Sequence, residues 1–386
     1  MSIWFYEVRK LLRAPAMLVL LAVCLLFNVL FCLSGVRDYD AYVGNAAKEY
    51  GIRIDDAFHQ ALAERSEHEN TQNWHFLEDL RWETENTGNV YENFSAISIA
   101  ESEIETFQIT GLPAKLLLEK CARLQASVDA KAKTGEALDL YYAGYTQSAH
   151  ARLTELWKLL ASEGAILGAL MTLYLVGYEN NNRMELLVLS TRHGRGLLWK
   201  KLTASLVCVL LGFVFLWFAT MAVYLAFHPS LANIWHSSVS SDFNFIYDYA
   251  CYHPYITWGS FSVLSYAFAQ LGISAGLAIC FALMGFVFGL YVKNTYLAFF
   301  GLLITAVGLL FLPIVLFRAL GSGWIGTYIL FYNPVMLWHM QSLWFTDGMQ
   351  YYLWPNFETW GACISLMVFA ALSAIGFLQF HRRDII

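Results

Sequence analysis

Charge is scarce in this sequence. Only 14% of its 386 residues are Asp, Glu, Lys or Arg, against about 25% in an ordinary soluble domain. That shortage excludes a purely soluble globule. No Gly is followed by Lys anywhere in the chain, so the loop G-x-x-x-x-G-K-[ST] that cradles a nucleotide's phosphates cannot form. No ATP hydrolysis is expected of the chain by itself. No Cys-x-x-Cys, mixed Cys/His or His-Glu-x-x-His spacing occurs, which argues against zinc chemistry. No exposed segment is a basic stripe, so nucleic acid is not an expected partner. Cysteine is limited to seven residues, and Cys24, Cys32, Cys208, Cys280 and Cys363 sit in apolar runs, where a thiol packs as a small hydrophobe. Only Cys121 and Cys251 fall elsewhere, and a disulfide between them stays open.

Apolar residues, by contrast, make up 58% of the chain. They cluster at 14–36, 157–178, 203–227, 259–291, 296–317 and 359–380. Each run reaches the roughly 20 residues needed to cross a hydrocarbon core of about 30 Å. None alternates in polarity as barrel strands do, so helices are the expected way across. The fold class is an all-α integral membrane protein with six transmembrane helices. The first run has a basic flank but is too long for a signal peptide and lacks a cleavage site, so it reads as a retained helix. The fourth is longer than one span needs, and reads either as a tilted helix or as a re-entrant piece with a span beyond Gly272.

Lys and Arg stay on the cytoplasmic side. Arg9, Lys10, Arg13, Arg183, Arg192, Arg195, Lys200, Lys201, Lys293, Arg382 and Arg383 alternate with six spans. The opposite loops, 228–258 and 318–358, hold only Arg318. Both termini (1–13 and 381–386) and the 179–202 loop are therefore expected inside, with 37–156 outside. Aromatics crowd the two outer loops, as an interfacial belt would require. Re-entrant helices near Phe331–Phe345, broken by Pro334 and Pro355, are expected in the second.

Residues 37–156 read as a mainly helical domain on two stalks. Val36, Tyr39, Val43, Ala47 and Tyr50 continue the first span up to Gly51, and Tyr142, Tyr145, Ala149, Leu153, Leu156 and Leu160 lead into the second. Leu117, Cys121, Leu124 and Val128 mark a helix with Pro113 in its first turn. Phe76, Leu77 and Leu80 suggest another, and Thr84 to Gly111 reads as less regular. His59, His68 and His75 read as surface histidines, so no metal is expected. From Arg37 to Glu163, 22 acidic against 12 basic residues give a net −10, read as a solvated acidic face. The spans are nearly free of charge. Asn28, Glu163 and Gln270 are the candidates for lining a path through them, Glu163, near the outer end of its span, reading more simply as a cap between stalk and membrane.

Two inner segments carry the functional signal. In the first, Trp4, Val8, Leu11 and Leu12 form an apolar face, while Glu7, Arg9, Lys10 and Arg13 point elsewhere. Such a helix lies in the membrane surface. In the second, polar residues from Glu179 to Arg183 precede a short apolar helix over Met184–Leu189. A Ser190-Thr191 turn and a basic cluster follow. A helix lying across the inner ends of the spans fits a groove in a soluble partner.

In their order, these features resemble the ABC-2 type permeases, the membrane subunits of ATP-binding-cassette exporters. Glu179, Arg183, Glu185, Leu186, Leu187, Ser190, Thr191, Arg195 and Lys201 follow the family's coupling region. Trp4, Glu7, Val8, Lys10 and Leu11 are similar to its elbow helix, the tail Phe380–Ile385 to its usual ending, and Asn333-Pro334 to its outer re-entrant segment. The 37–156 domain departs from compact members and leaves the substrate open. The resemblance implies a bacterial cell-membrane protein exporting a peptide, lipid-like or drug-like compound. It also implies two copies of an ATPase subunit carrying ATP and Mg, and a second permease, identical or homologous. A receptor sensing a ligand through 37–156, and a membrane-embedded enzyme or secondary transporter, are the alternatives.

Overall fold

The structure is a computed structural model and describes residues 3–34, 37–66, 74–141, 148–184, 187 and 196–382. In chain order the helices are α1 (Ile3–Leu12), α2 (Pro15–Leu33), α3 (Arg37–Tyr50), α4 (Asp56–Ser66), α5 (Trp74–Glu85), α6 (Ile97–Phe107) and α7 (Gly111–Thr134). They continue as α8 (Ser148–Asn181), α9 (Leu197–Phe227), α10 (Val263–Tyr291), α11 (Thr295–Leu320), α12 (Ile325–Leu330), α13 (Pro334–His339) and α14 (Phe357–Arg382). Among the described residues α2, α8, α9, α10, α11 and α14 are long and apolar enough to cross a membrane. The chain is a multi-pass membrane protein. The only sheet among those residues is a hairpin, β1 (Phe245–Tyr247) with β2 (Tyr252–Pro254), pairing Phe245 with Pro254 and Tyr247 with Tyr252.

α8 is the centre of the bundle, with 67% of its apolar window buried against 11% for α11 and 22% for α2. The sequence allows this through small residues. A Cβ at Gly168 would overlap the backbone of Ala278 on α10, and one at Gly164 would meet Phe213 of α9 at 2.8 Å. From the other side, a Cβ at Gly285 of α10 would lie 3.0 Å from Ala169 O. Glycines here let backbones approach where bulk would hold them apart. The fourth run is one unbroken helix, α10, opened by Ser262, whose hydroxyl accepts from the Ser265 amide at 3.3 Å. The re-entrant alternative is thereby removed.

Beyond the start of α8, α3 packs on Pro229–Ile234, and α6 and α7 pack on the connections 228–262 and 321–356. Leu117, Cys121, Leu124 and Val128 of α7 are fully buried, as their spacing predicts, and share a core with Ile256, Tyr328 and Leu353. Tyr91 donates to Ser240 O at 2.8 Å, Ser127 to Thr257 O at 2.8 Å, and Ser237 to Leu140 O at 2.6 Å. Two helices, α2 and α3, stand where the spacing predicts one continuous stalk. Gly51 ends α3 as expected, at a φ of +95°. Tyr142 and Tyr145, on the second expected stalk, lie outside the described residues.

Thr84–Gly111, expected to be less regular, contains α6. Its inward stripe is Ile99, Ala100 and Glu103, so a buried carboxyl interrupts the apolar period that would have revealed it. Pro334 starts α13 rather than ending a helix, with Asn333 Oδ1 accepting from Val335 N at 2.9 Å and Met336 N at 3.0 Å. Cys121 and Cys251 are both free thiols.

Candidate functional site

Four charges from three separated segments meet at the end of the bundle that carries α1. Lys10 Nζ donates to Glu7 Oε1 at 2.8 Å and to Glu179 Oε1 at 2.9 Å. Lys201 bonds the other oxygen of Glu179, and donates to Leu175 O at 2.7 Å. Glu7, Glu179 and Lys201 are all buried. Two carboxylates and two ammoniums sum to zero, which is what a buried ionic group requires to be tolerated. Both lysines also lie at the carbonyl end of α8, where the helix dipole favours positive charge. Lys10 Nζ further sits 4.5 Å from the ring centre of Tyr178, within cation–π range.

This corrects the reading of α1. Glu7 does not point away with Arg9 and Arg13, but is buried beside Leu11. Positions 4, 7, 8 and 11 share one face of a helix, and Trp4 and Val8 pack with Leu11 on the core. Leu12, expected on that face, is instead exposed, as are Phe5 and Tyr6. Glu7 is admitted inside because Lys10 comes with it, one turn along.

The segment from Glu179 is described in part. Arg183 adopts a left-handed φ of +56°. Arg183 N donates to Asn180 O at 3.0 Å and Met184 N to Glu179 O at 2.8 Å, the paired bonds that close a helix end. No glycine marked that stop. Leu187 is exposed. Glu185, Leu186, Ser190, Thr191 and Arg195 lie outside the described residues. Asn180 Nδ2 donates to Lys293 O at 2.6 Å and Asn181 Nδ2 to Thr295 Oγ1 at 3.1 Å, fastening the end of α8 to the turn between α10 and α11. Sequence reasoning missed these two ties, since asparagines leaving a helix carry no signal of their partner.

Of the path candidates, two meet and one does not. Asn28 Nδ2 donates to Glu163 Oε2 at 2.9 Å and to Thr220 Oγ1 at 2.8 Å, joining α2, α8 and α9. Thr220 was not anticipated. Since α8 begins at Ser148, 15 residues of helix, about 22 Å, precede Glu163, and its carboxylate faces the bundle toward Asn28. Gln270 is buried and accepts from Gln341 Nε2 at 3.0 Å, a residue of the 321–356 connection.

A cavity of about 560 Å³ opens where α8 begins, between β1 and residues 341–343. His150, Thr154 and Gln341 line it, and none was singled out from the sequence. Among the described residues no His, Cys, Asp and Glu side chains are grouped to hold a metal. His59 is one of them, its ring edge-on to Phe58; His68 lies outside them, as does the side chain of His75. The chain matches no family model, no curated protein and no solved structure.

Proposed function

We propose that this chain is the membrane-spanning permease subunit of an ABC-2 type exporter, powered by ATP hydrolysed on a separate subunit. Both ends are cytoplasmic, α1 lies along the inner surface as an elbow, and 37–156 faces outward. Two ATPase copies and a second permease complete the assembly, which moves a peptide, lipid-like or drug-like compound.

One observation carries the reading. The charged residues at the two mouths of the 179–202 loop, Glu179 and Lys201, are bonded to each other, and Glu179 is bonded to Lys10 of α1. A partner pressing on the loop would therefore move α1, α8 and α9 together, as a lever moves rigid elements. Their own hydrogen bonds make the three helix ends one body. Exposed Phe5, Tyr6 and Leu12 on α1 suit a helix half-sunk in lipid.

The test is ATP hydrolysis by the complex purified through a tag on this chain and placed in nanodiscs. Glu185→Lys and Arg195→Glu are expected to leave insertion intact and to abolish transport-stimulated hydrolysis. Full stimulation in both variants, or no ATPase in the complex, would sink the assignment.

A further inference from the structure

Where α1 turns into α2, a cleft of about 290 Å³ is lined by Tyr6, Arg9, Lys10, Arg13, Tyr174 and Tyr178, with Ala14 and Pro15 closing its side. Lys10 is neutralised within the four-charge cluster. Arg9 and Arg13 are not part of that balance. Four residues apart on one helical turn, they leave the cleft with two positive charges beyond those the cluster cancels. A guanidinium presents a planar fork that matches phosphate oxygens two at a time. Tyrosine hydroxyls add donors that a phosphate accepts.

The helices that carry the cleft also present uncovered apolar side chains. Leu12 on α1, and Leu18 and Val19 on α2, are exposed, one to four residues along the chain from the lining residues Arg13 and Pro15, and α2 is among the least covered of the long helices. A ligand that satisfies both features carries a phosphate at one end and hydrocarbon at the other. Free phosphate would leave the apolar side chains bare.

We propose that this cleft binds the anionic headgroup of a membrane phospholipid. The phosphate lies between Arg9 and Arg13, and the acyl chains run along the exposed face of α2. Such a lipid sits against Lys10 and Tyr178, at the junction that ties α1 to α8. It strengthens the seat of α1 in the bundle. The inference stands on the cleft and the membrane setting, and does not depend on an ATPase partner.

The experiment compares the purified full chain in nanodiscs of phosphatidylcholine alone and of phosphatidylcholine with phosphatidylglycerol, read by thermal unfolding and by native mass spectrometry of bound lipid. The expected result is a higher midpoint and retained phosphatidylglycerol in wild type. The phosphatidylglycerol-dependent rise in midpoint and the amount of bound phosphatidylglycerol should each fall at least fivefold in the double variant Arg9→Gln, Arg13→Gln, and stay near wild type in Lys200→Gln, a basic residue outside the cleft. Equal loss in Lys200→Gln would reduce the effect to general surface charge and overturn the site. An unchanged double variant would overturn it too. If millimolar inorganic phosphate reproduces the whole shift in phosphatidylcholine nanodiscs, the ligand is free phosphate and the lipid assignment fails. Arg9 and Arg13 are exposed, so the double variant is expected to fold, as a single gel-filtration peak would verify.

Discussion

Glu103 shows how far one residue departs from its ordinary chemistry here. It is fully buried on α6. Loss of hydration pushes its pKa up to about 8; Lys120 and the Gln350 backbone oppose this, while Asp347 and Asp248 add to it. Lys120 is equally buried, and donates to the carbonyls of Asp347, Met349 and Tyr352 at 3.0, 2.9 and 3.1 Å. Burial disfavours its charge, but Asp347, Cys121 and Glu103 hold its pKa above the lysine value. A carboxyl raised on folding favours the native state while it stays protonated. Its contribution is complete below about 4.5, the ordinary value, and is lost as pH rises through about 8. The wild-type unfolding midpoint should therefore fall between pH 5 and 9, and Glu103→Gln should flatten that slope. Parallel slopes in the two proteins would show that Glu103 does not titrate there.

At the scale of elements, the contact of α8 with α10 organises the bundle. Gly168 has no room for a side chain against Ala278, whereas Gly272 on α10 has nothing within 4 Å of its added Cβ. Gly168→Val should destabilise the protein by at least about 1–3 kcal/mol, the usual cost of overpacking, because the obstacle is backbone. Gly272→Ala should be neutral, or stabilising by up to about 1 kcal/mol through helix propensity. Thermal unfolding of the two variants in detergent separates them, and similar midpoints would refute the close approach. The polar link of Asn28 to Glu163 and Thr220 adds a second tie, between α2, α8 and α9. Hydrogen bonds of this kind between membrane helices are worth about 1 kcal/mol, so packing, more than polarity, sets the arrangement.

For the whole molecule, the proposed orientation makes a prediction of sidedness. Tyr249 is 96% exposed in the hairpin turn and Trp82 is 66% exposed on α5. Introduced in a cysteine-free background, Tyr249→Cys and Trp82→Cys should react with a membrane-impermeant maleimide in intact cells. Asn182→Cys, just beyond α8, should react only after the cells are opened. The opposite pattern would invert the topology. The shared core of α6 and α7 with Ile256, Tyr328 and Leu353 also changes how the 37–156 segment is regarded. It is built into the connections between spans, so its movements and theirs are coupled by packing.

The six helices long and apolar enough to cross a membrane were legible in the sequence because a bilayer imposes a length and an apolarity on each span, and both are local properties. The helix α7 was legible for a similar reason, its core face repeating without interruption from Leu117 to Val128. α6 was not, since Glu103 occupies one of its core positions, and Glu7 broke the expected face of α1 in the same way. Burial of Glu7 rests on Lys10 one turn along and, through Lys10, on Glu179 and Lys201 far along the chain; Glu103 is buried near the charge of Lys120, on the next helix. Local periodicity records only which face of a helix is apolar. Which ions meet across the bundle, and therefore which charges are admitted to its interior, was decided by tertiary packing alone.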